Sequence, residues 1–169
     1  MKKWFSILLL IALLAVGCGS DKQLFLNIAT GGTAGTYYPI GGSIADILNK
    51  SGINAAAQAT GASVANINML HDGQVELAIV QNDISFYALN GKEMFEDKVD
   101  GLTALASLYP ETCQFVVRQD SGISSIDELK GKRIAVGAAG SGAEANARQI
   151  LAAYGITISL SLQRVRGIF

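Results

Sequence analysis

The chain has 169 residues, half of them hydrophobic, and a formal net charge of −1 at pH 7. Without a basic surplus it lacks the charge that nucleic-acid binding requires, so a nucleic-acid partner is not expected. A single histidine and two cysteines offer too few ligands for a zinc site, so we predict neither a metal nor a cofactor.

The first 18 residues are typical of a lipoprotein signal peptide. Two lysines precede an apolar stretch over residues 4–16, which is shorter than the about 20 apolar residues of a membrane-spanning helix. Small residues then lead to Cys18, as in the bacterial lipobox, although Ala15 stands where leucine is usual. We expect a lipid on Cys18 that anchors the protein at the periplasmic or extracellular face of the cytoplasmic membrane. An uncleaved anchor or an ordinary secretory leader are the alternatives.

Apolar and amphipathic segments alternate between residues 24 and 80. Strands are predicted over 24–29, 53–59 and 76–80. The first helix is indicated by apolar residues at i, i+4, i+7 and i+8, and the second by a shorter run of the same kind; their apolar positions are Ile40, Ile44, Ile47 and Leu48, then Val64, Ile67 and Leu70. A βαβαβ order requires a parallel sheet covered by helices, so the predicted fold class is α/β.

The second half of the chain continues this alternation. Its predicted elements are a helix over 82–89, a solvated insertion over 91–101, strands over 102–108, 114–118 and 132–136, and a helix over 143–154. Pro110 interrupts any continuous helix and marks the point where one lobe passes to another, which divides the mature chain into 19–110 and 111–169. Cys113 lies in a strand-like run, where we expect a small buried side chain rather than a nucleophile.

Four loops rich in glycine and small polar residues each follow a predicted strand and precede a helix. They span residues 30–38, 60–63, 81–83 and 140–143. Helix N-capping alone explains any one of them. Four such loops at one edge of the sheets predict a binding site, and glycines beside helix N-termini favour an anion. A dinucleotide is disfavoured because Thr30 replaces the first glycine of G-x-G-x-x-G.

Catalytic signals are weak. Ser141 does not lie in a G-x-S-x-G elbow, since Ala139 and Ala143 occupy the glycine positions. His71 lies at a helix end, where it interacts more readily with the helix dipole than with a substrate. The chain is therefore predicted not to be an enzyme, and a lipid-anchored hydrolase using Ser141 is the catalytic alternative.

Three motifs strongly resemble the TAXI family of TRAP-transporter solute-binding proteins. They span residues 29–39, 59–67 and 77–83. Residues 126–137 and 140–142 are similar to that family and to periplasmic binding proteins more widely. The resemblance covers residues 24–155.

This resemblance implies a two-lobed fold, similar to type II periplasmic binding proteins, with parallel sheets flanked by helices. Such a receptor closes on a small acidic solute, such as glutamate, glutamine or a dicarboxylate, and delivers it to TRAP membrane subunits for ion-driven uptake. A receptor that reports to a sensor system is the alternative. The implied ligand contacts are Gly32, Thr33, Tyr37, Ser63 and Gln81 or Asn82 from the first lobe, and Ser141, Gly142 and Ala143 from the second.

The chain departs from that family in two respects. Family members reach about twice the mature length seen here, as expected of two lobes. Residues 158–169 also do not resemble the family's continuation. These departures predict a truncated or frameshifted reading frame and an incomplete second lobe.

Overall fold

The computed structural model describes residues 24–158. The predicted leader, Cys18 and residues 159–169 lie outside the described residues. The α-helices and strands, in chain order, are β1 (Phe25–Ala29), α1 (Tyr37–Lys50), β2 (Asn54–Gln58), α2 (Ser63–His71), β3 (Leu77–Ala78), α3 (Asn82–Asn90) and α4 (Gly142–Ala153).

The three strands form one parallel sheet in the order β2-β1-β3. Residues 25–29 pair in register with residues 54–58, so β1 is central and both neighbours run alongside it. The ladder to β3 is short and joins Ile28 to Leu77 and Ala29 to Ala78. The predicted α/β class with a parallel sheet flanked by helices is confirmed, although β2 and β3 are shorter than predicted.

Helix α1 packs on the sheet through its smallest residues. Gly41 and Ala45 are its buried positions after the first turn, whereas Ile47 is 64% exposed. A Cβ on Gly41 would lie 2.3 Å from the Cγ2 atom of Thr30. Glycine is therefore required where this helix crosses the end of β1.

The apolar interior falls into three clusters of buried residues. One joins the sheet to α1 through Ile28, Ala45 and Ala55. A second joins α2, α3, the following loop and α4 through Ile67, Ile84, Ala88, Phe95, Val99 and Ala145. A third belongs to the second half alone and contains Leu129, Val136, Leu151 and Ile156.

The strands predicted over 102–108, 114–118 and 132–136 are not formed in the described part of the chain. Side chains there are often open to solvent, with Leu105 78% and Val116 86% exposed. A strand forms only where a neighbouring strand accepts its hydrogen bonds, and residues 24–158 supply none beside these segments. The prediction that Cys113 is buried is also wrong, because its thiol is exposed.

The helices of the second half agree better with prediction. Helix α4 spans Gly142–Ala153, one residue from the predicted bounds at each end, and α3 extends one residue beyond the predicted range. Between residues 24 and 158, no helix has both the length and the apolar character needed to cross a membrane.

Candidate functional site

The carboxyl ends of the three strands are joined by one buried side chain. Asn66 of α2 is fully buried, and its amide nitrogen donates to the carbonyl oxygens of Thr30 at 2.6 Å and Ile79 at 2.8 Å. Its amide oxygen accepts from the hydroxyl of Thr60. The loops that follow β1, β2 and β3 are thus held together at one edge of the sheet.

A chain of hydrogen bonds lines this edge. The backbone N–H of Gln81 donates to Ser63 Oγ at 3.0 Å, and Ser63 Oγ lies 3.4 Å from the hydroxyl of Tyr37. Tyr37 donates its single proton to Glu111 Oε2 at 3.0 Å, so the Ser63 hydroxyl must be the donor to Tyr37. Three of the predicted contacts, Tyr37, Ser63 and Gln81, therefore form one connected group.

Glu111 accepts from two tyrosines. Its Oε1 atom takes the hydroxyl proton of Tyr109 at 2.8 Å, while Oε2 takes that of Tyr37. Burial raises the pKa of Tyr37 well above its usual range, and the nearby Glu111 charge raises it further. Burial and the bond to Glu111 also raise the pKa of Tyr109, to about 12. Both phenols therefore stay protonated and act as donors at neutral pH.

The fourth loop meets the same edge from the second half of the chain. The carbonyl oxygen of Gly140 accepts from the backbone N–H groups of Val64 at 3.0 Å and Ala65 at 3.3 Å, in the first turn of α2. The carboxylate of Glu144 accepts from the Gly140 N–H at 2.9 Å and pairs with Arg148. The backbone bonds to the Gly140 carbonyl place this loop against the start of α2.

The start of α4 lies against Gln81. A Cβ on Gly142 would lie 1.3 Å from Gln81 Oε1, so only glycine leaves room for the Gln81 carboxamide as it stands. Gln81 Nε2 donates to Asn146 Oδ1 at 3.3 Å, and Asn146 Nδ2 donates to Asp83 Oδ2 at 2.5 Å. Among residues 24–158, Gln81 Oε1 finds no hydrogen-bond partner and is buried against Gly142, which leaves its hydrogen-bonding capacity unused.

The predicted site residues fall into two groups. The structure brings together Tyr37, Ser63, Gln81 and Gly142, and Ser141 is the adjoining N-cap residue of α4. The other group, Gly32, Thr33, Asn82 and Ala143, is exposed to solvent. Gly31, which precedes Gly32 and Thr33, packs between Tyr37 and Ala62: a Cβ on Gly31 would lie 3.6 Å from each. The exposed turn therefore begins beside Tyr37.

Glu111 and Asn146 were missed by the sequence analysis. Glu111 lies in the segment assigned to the passage between lobes, and Asn146 lies inside a helix rather than in a loop. Tyr109 and Glu111 flank Pro110. This polar pair beside a proline is the sequence feature that could have identified Glu111. No local pattern marks Asn146, because its side chain bonds to Asp83 and Gln81, which precede it in the chain by 63 and 65 positions.

A hydrolytic role for Ser141 receives no support from its environment. Its Oγ accepts the backbone N–H of Glu144 at 3.1 Å, which is the geometry of a helix N-cap. Within the described range no group of His, Cys, Asp and Glu is arranged to hold a metal ion. A cavity of about 300 Å³ lies at the opposite end of α4, lined by Arg148, Ala152 and residues 155–158, but its one charged group is already paired with Glu144.

Residues 28–167 match the family model described as the NMT1-like family. The chain belongs to this family. NMT1-like proteins are periplasmic binding-protein-like, so the function is binding of a solute outside the cytoplasm. Proteins of this kind are generally not enzymes, and they work with a small-molecule ligand and a membrane transporter.

For an NMT1-like chain, the polar edge of the parallel sheet is the candidate ligand site. Small molecules bind open α/β sheets at the carboxyl ends of their strands. Within residues 24–158, that edge carries the N-terminus of α1, the hydroxyl groups of Tyr37 and Ser63, and the buried Gln81 Oε1 atom, which has no hydrogen-bond partner there. The group at this edge can bind and orient a polar solute, and it offers no arranged nucleophile and base.

Proposed function

We propose that this NMT1-like chain is the solute-binding receptor of a TRAP transporter of the TAXI type, which captures a small carboxylate such as glutamate or glutamine for secondary active uptake. Residues 19–110 form the first ligand-binding lobe and residues 111–169 the start of the second. A lipid on Cys18 holds the receptor at the outer face of the cytoplasmic membrane.

The hydrogen-bonded group of Tyr37, Ser63 and Gln81 is the observation that carries this proposal. It lies where the exposed turn of Gly32 and Thr33 enters the N-terminus of α1. The first N–H groups of a helix have no partner within the helix and favour negative charge. A carboxylate at this turn therefore meets backbone N–H groups, with hydroxyls beside them.

The charge of the four loops also suits this mode of binding. Residues 30–38, 60–63, 81–83 and 140–143 contain no lysine or arginine. The carboxylate would be held by N–H and O–H donors, and hydrogen bonds to a charged group contribute about 1.5–3 kcal/mol each. Micromolar affinity corresponds to about 8 kcal/mol, and association itself costs about 4 kcal/mol or more, so two or three such bonds must be supplemented by further contacts.

Calorimetric titration and thermal unfolding with L-glutamate, L-glutamine, succinate and glucose test the proposal. At 100 times its Kd, a ligand of the folded state adds about 2.7 kcal/mol of stability. We expect at least one of the three carboxylates or amino acids to raise Tm, and glucose to have no effect.

Two serine variants test whether the solute binds at the edge of the sheet. Ser63→Ala removes the hydroxyl that joins Tyr37 to Gln81, so the two residues are no longer held together and binding should weaken about tenfold. Ser43→Ala is the matched control, since the Ser43 hydroxyl is exposed and donates to the Pro39 carbonyl of the same helix. The proposal is wrong if no acidic solute stabilises the protein, or if both variants bind like the unmodified chain.

The membrane partner distinguishes a transport receptor from a receptor that reports to a sensor. Uptake of the bound solute into vesicles that carry the TRAP membrane subunits should require this protein. If the protein binds its solute but uptake proceeds equally without it, the receptor serves a sensor.

A further inference from the structure

Beside the candidate site lies the Glu111 carboxylate, which has no cationic partner among residues 24–158. The ion pairs in residues 24–158 are Arg118–Asp120 and Arg148–Glu144, and neither includes Glu111. The Glu111 side chain instead receives two tyrosine hydroxyls, one on each oxygen. A carboxylate oxygen accepts about two hydrogen bonds, so each keeps room for a further donor.

The Glu111 carboxylate lies next to the residues proposed to bind the ligand. Glu111 Oε2 is 3.0 Å from the Tyr37 hydroxyl, and that hydroxyl is 3.4 Å from Ser63 Oγ. The Glu111 residue is solvent-exposed, so its free acceptor positions are open to a solute. Asp83 is a second acidic side chain at the same edge, joined to Gln81 through Asn146.

This charge distribution discriminates between solutes. A ligand that carries only carboxylates would be repelled by Glu111, and no lysine or arginine in the four loops offsets that repulsion. A ligand that also carries an ammonium group would place a cation against an acceptor already oriented by two phenols. Such an arrangement excludes the wrong solute by repulsion while it attracts the right one.

We propose that Glu111 is a specificity-determining residue that accepts the cationic group of the ligand, so that the site selects carboxylates bearing an ammonium group over those without one. This inference rests on the proposed function. Tyr37 and Tyr109 act as positioning residues that hold the Glu111 carboxylate in place. The site should therefore favour amino acids over dicarboxylates.

Titration calorimetry with L-glutamate and 2-oxoglutarate tests this inference, because the two share a carbon skeleton and differ in the ammonium group. The unmodified chain should bind glutamate at least about tenfold more tightly. Glu111→Gln should reduce that ratio at least about tenfold, in part by strengthening the binding of 2-oxoglutarate. Gain of affinity for one ligand is an effect that a merely structural role would not produce.

Glu96→Gln is the matched control for loss of one negative charge. Glu96 is exposed and lies beyond the C-terminus of α3, away from the end that carries Asp83. Its variant should keep the preference for glutamate. An unchanged ratio in Glu111→Gln overturns the inference while the proposed function stands.

The unmodified protein provides a test that does not depend on how any variant folds. If it binds 2-oxoglutarate as tightly as glutamate, the inference is wrong although the proposed function survives. If it binds neither these two nor any other carboxylate, the proposed function fails and the inference fails with it.

Discussion

The side chain of Asn66 makes its hydrogen bonds entirely inside the protein. It donates to carbonyls that follow β1 and β3 and accepts from the Thr60 hydroxyl after β2. A buried amide of this kind is stabilising only while all its partners are present. The candidate site therefore depends on a residue that does not face the ligand.

Asn66→Ala should lower the free energy of unfolding by about 2–4 kcal/mol, since the Thr30 and Ile79 carbonyls lose a buried donor. Urea denaturation measures this change. Asn68→Ala, on the exposed side of the same helix, is the control and should stay within about 0.5 kcal/mol. Equal effects of the two variants would contradict the role assigned to Asn66.

The raised pKa of Tyr109 predicts that the stability of the fold decreases at alkaline pH. Burial and Glu111 raise its pKa to about 12, whereas an unfolded tyrosine titrates near about 10. The folded state thus retains a proton that the unfolded state releases, and its stabilisation is complete below about pH 10 and lost as the pH rises through the folded value.

An absorbance titration of tyrosinate measures this directly. Tyr109→Phe should remove a late-titrating phenol, and Glu111→Gln should move that phenol back towards its ordinary pKa. A late phase of the titration that is the same in all three proteins would show that Tyr109 is not the shifted group.

At the scale of elements, contact between α1 and the end of β1 sets how closely the first loop approaches the sheet. Gly41 lies against Thr30, while a Cβ on the adjacent Gly42 would meet nothing within 4 Å. Neighbouring glycines of one helix thus have different roles. One permits packing, and the other only adds flexibility to the unfolded chain.

Gly41→Ala should destabilise the fold by about 1–3 kcal/mol because the added methyl overlaps Thr30. Gly42→Ala should instead stabilise it by about 0.5–1 kcal/mol through helix propensity. Thermal unfolding of both variants checks the pair. Stabilisation by Gly41→Ala would contradict the packing of α1 against Thr30.

The βαβαβ order of the first half followed from apolar periodicity, because each segment there pairs or packs with a close neighbour in sequence. The strands expected over 102–108 and 114–118 do not form in the described chain. Their apolar residues are typical of a strand, but no neighbouring strand lies beside them. Loop positions of the site were predictable from small polar residues after strands. Glu111 and Asn146 were not, because each reaches the site through contacts with distant residues.

On the scale of the full fold, the described residues pack into three apolar clusters. The clusters around Ile28 and Ile67 lie mainly in residues up to 110, whereas the cluster around Leu151 is confined to the second half. Ala145 of α4 contributes to the cluster around Ile67. Helix α4 therefore couples the two halves next to the candidate site.

The lipid anchor proposed on Cys18 can be tested in the expressed protein. Cys18 and Cys113 are the two cysteines of the chain, which gives a matched pair of variants. Labelled palmitate should be incorporated into the expressed protein and into Cys113→Ala, but not into Cys18→Ala. Incorporation that persists in Cys18→Ala would show that Cys18 is not the lipidated residue.

Mapping of backbone amide shifts in the 15N-labelled protein during titration with L-glutamate locates the bound ligand on the fold. The proposed function predicts shifts at the carboxyl edge of the sheet, around Gly32, Ser63, Gln81 and Ser141. The far end of α4, around residues 155–158, should stay unchanged. Shifts confined to that far end, or no shifts with any acidic solute, would contradict the assignment of the sheet edge as the binding site.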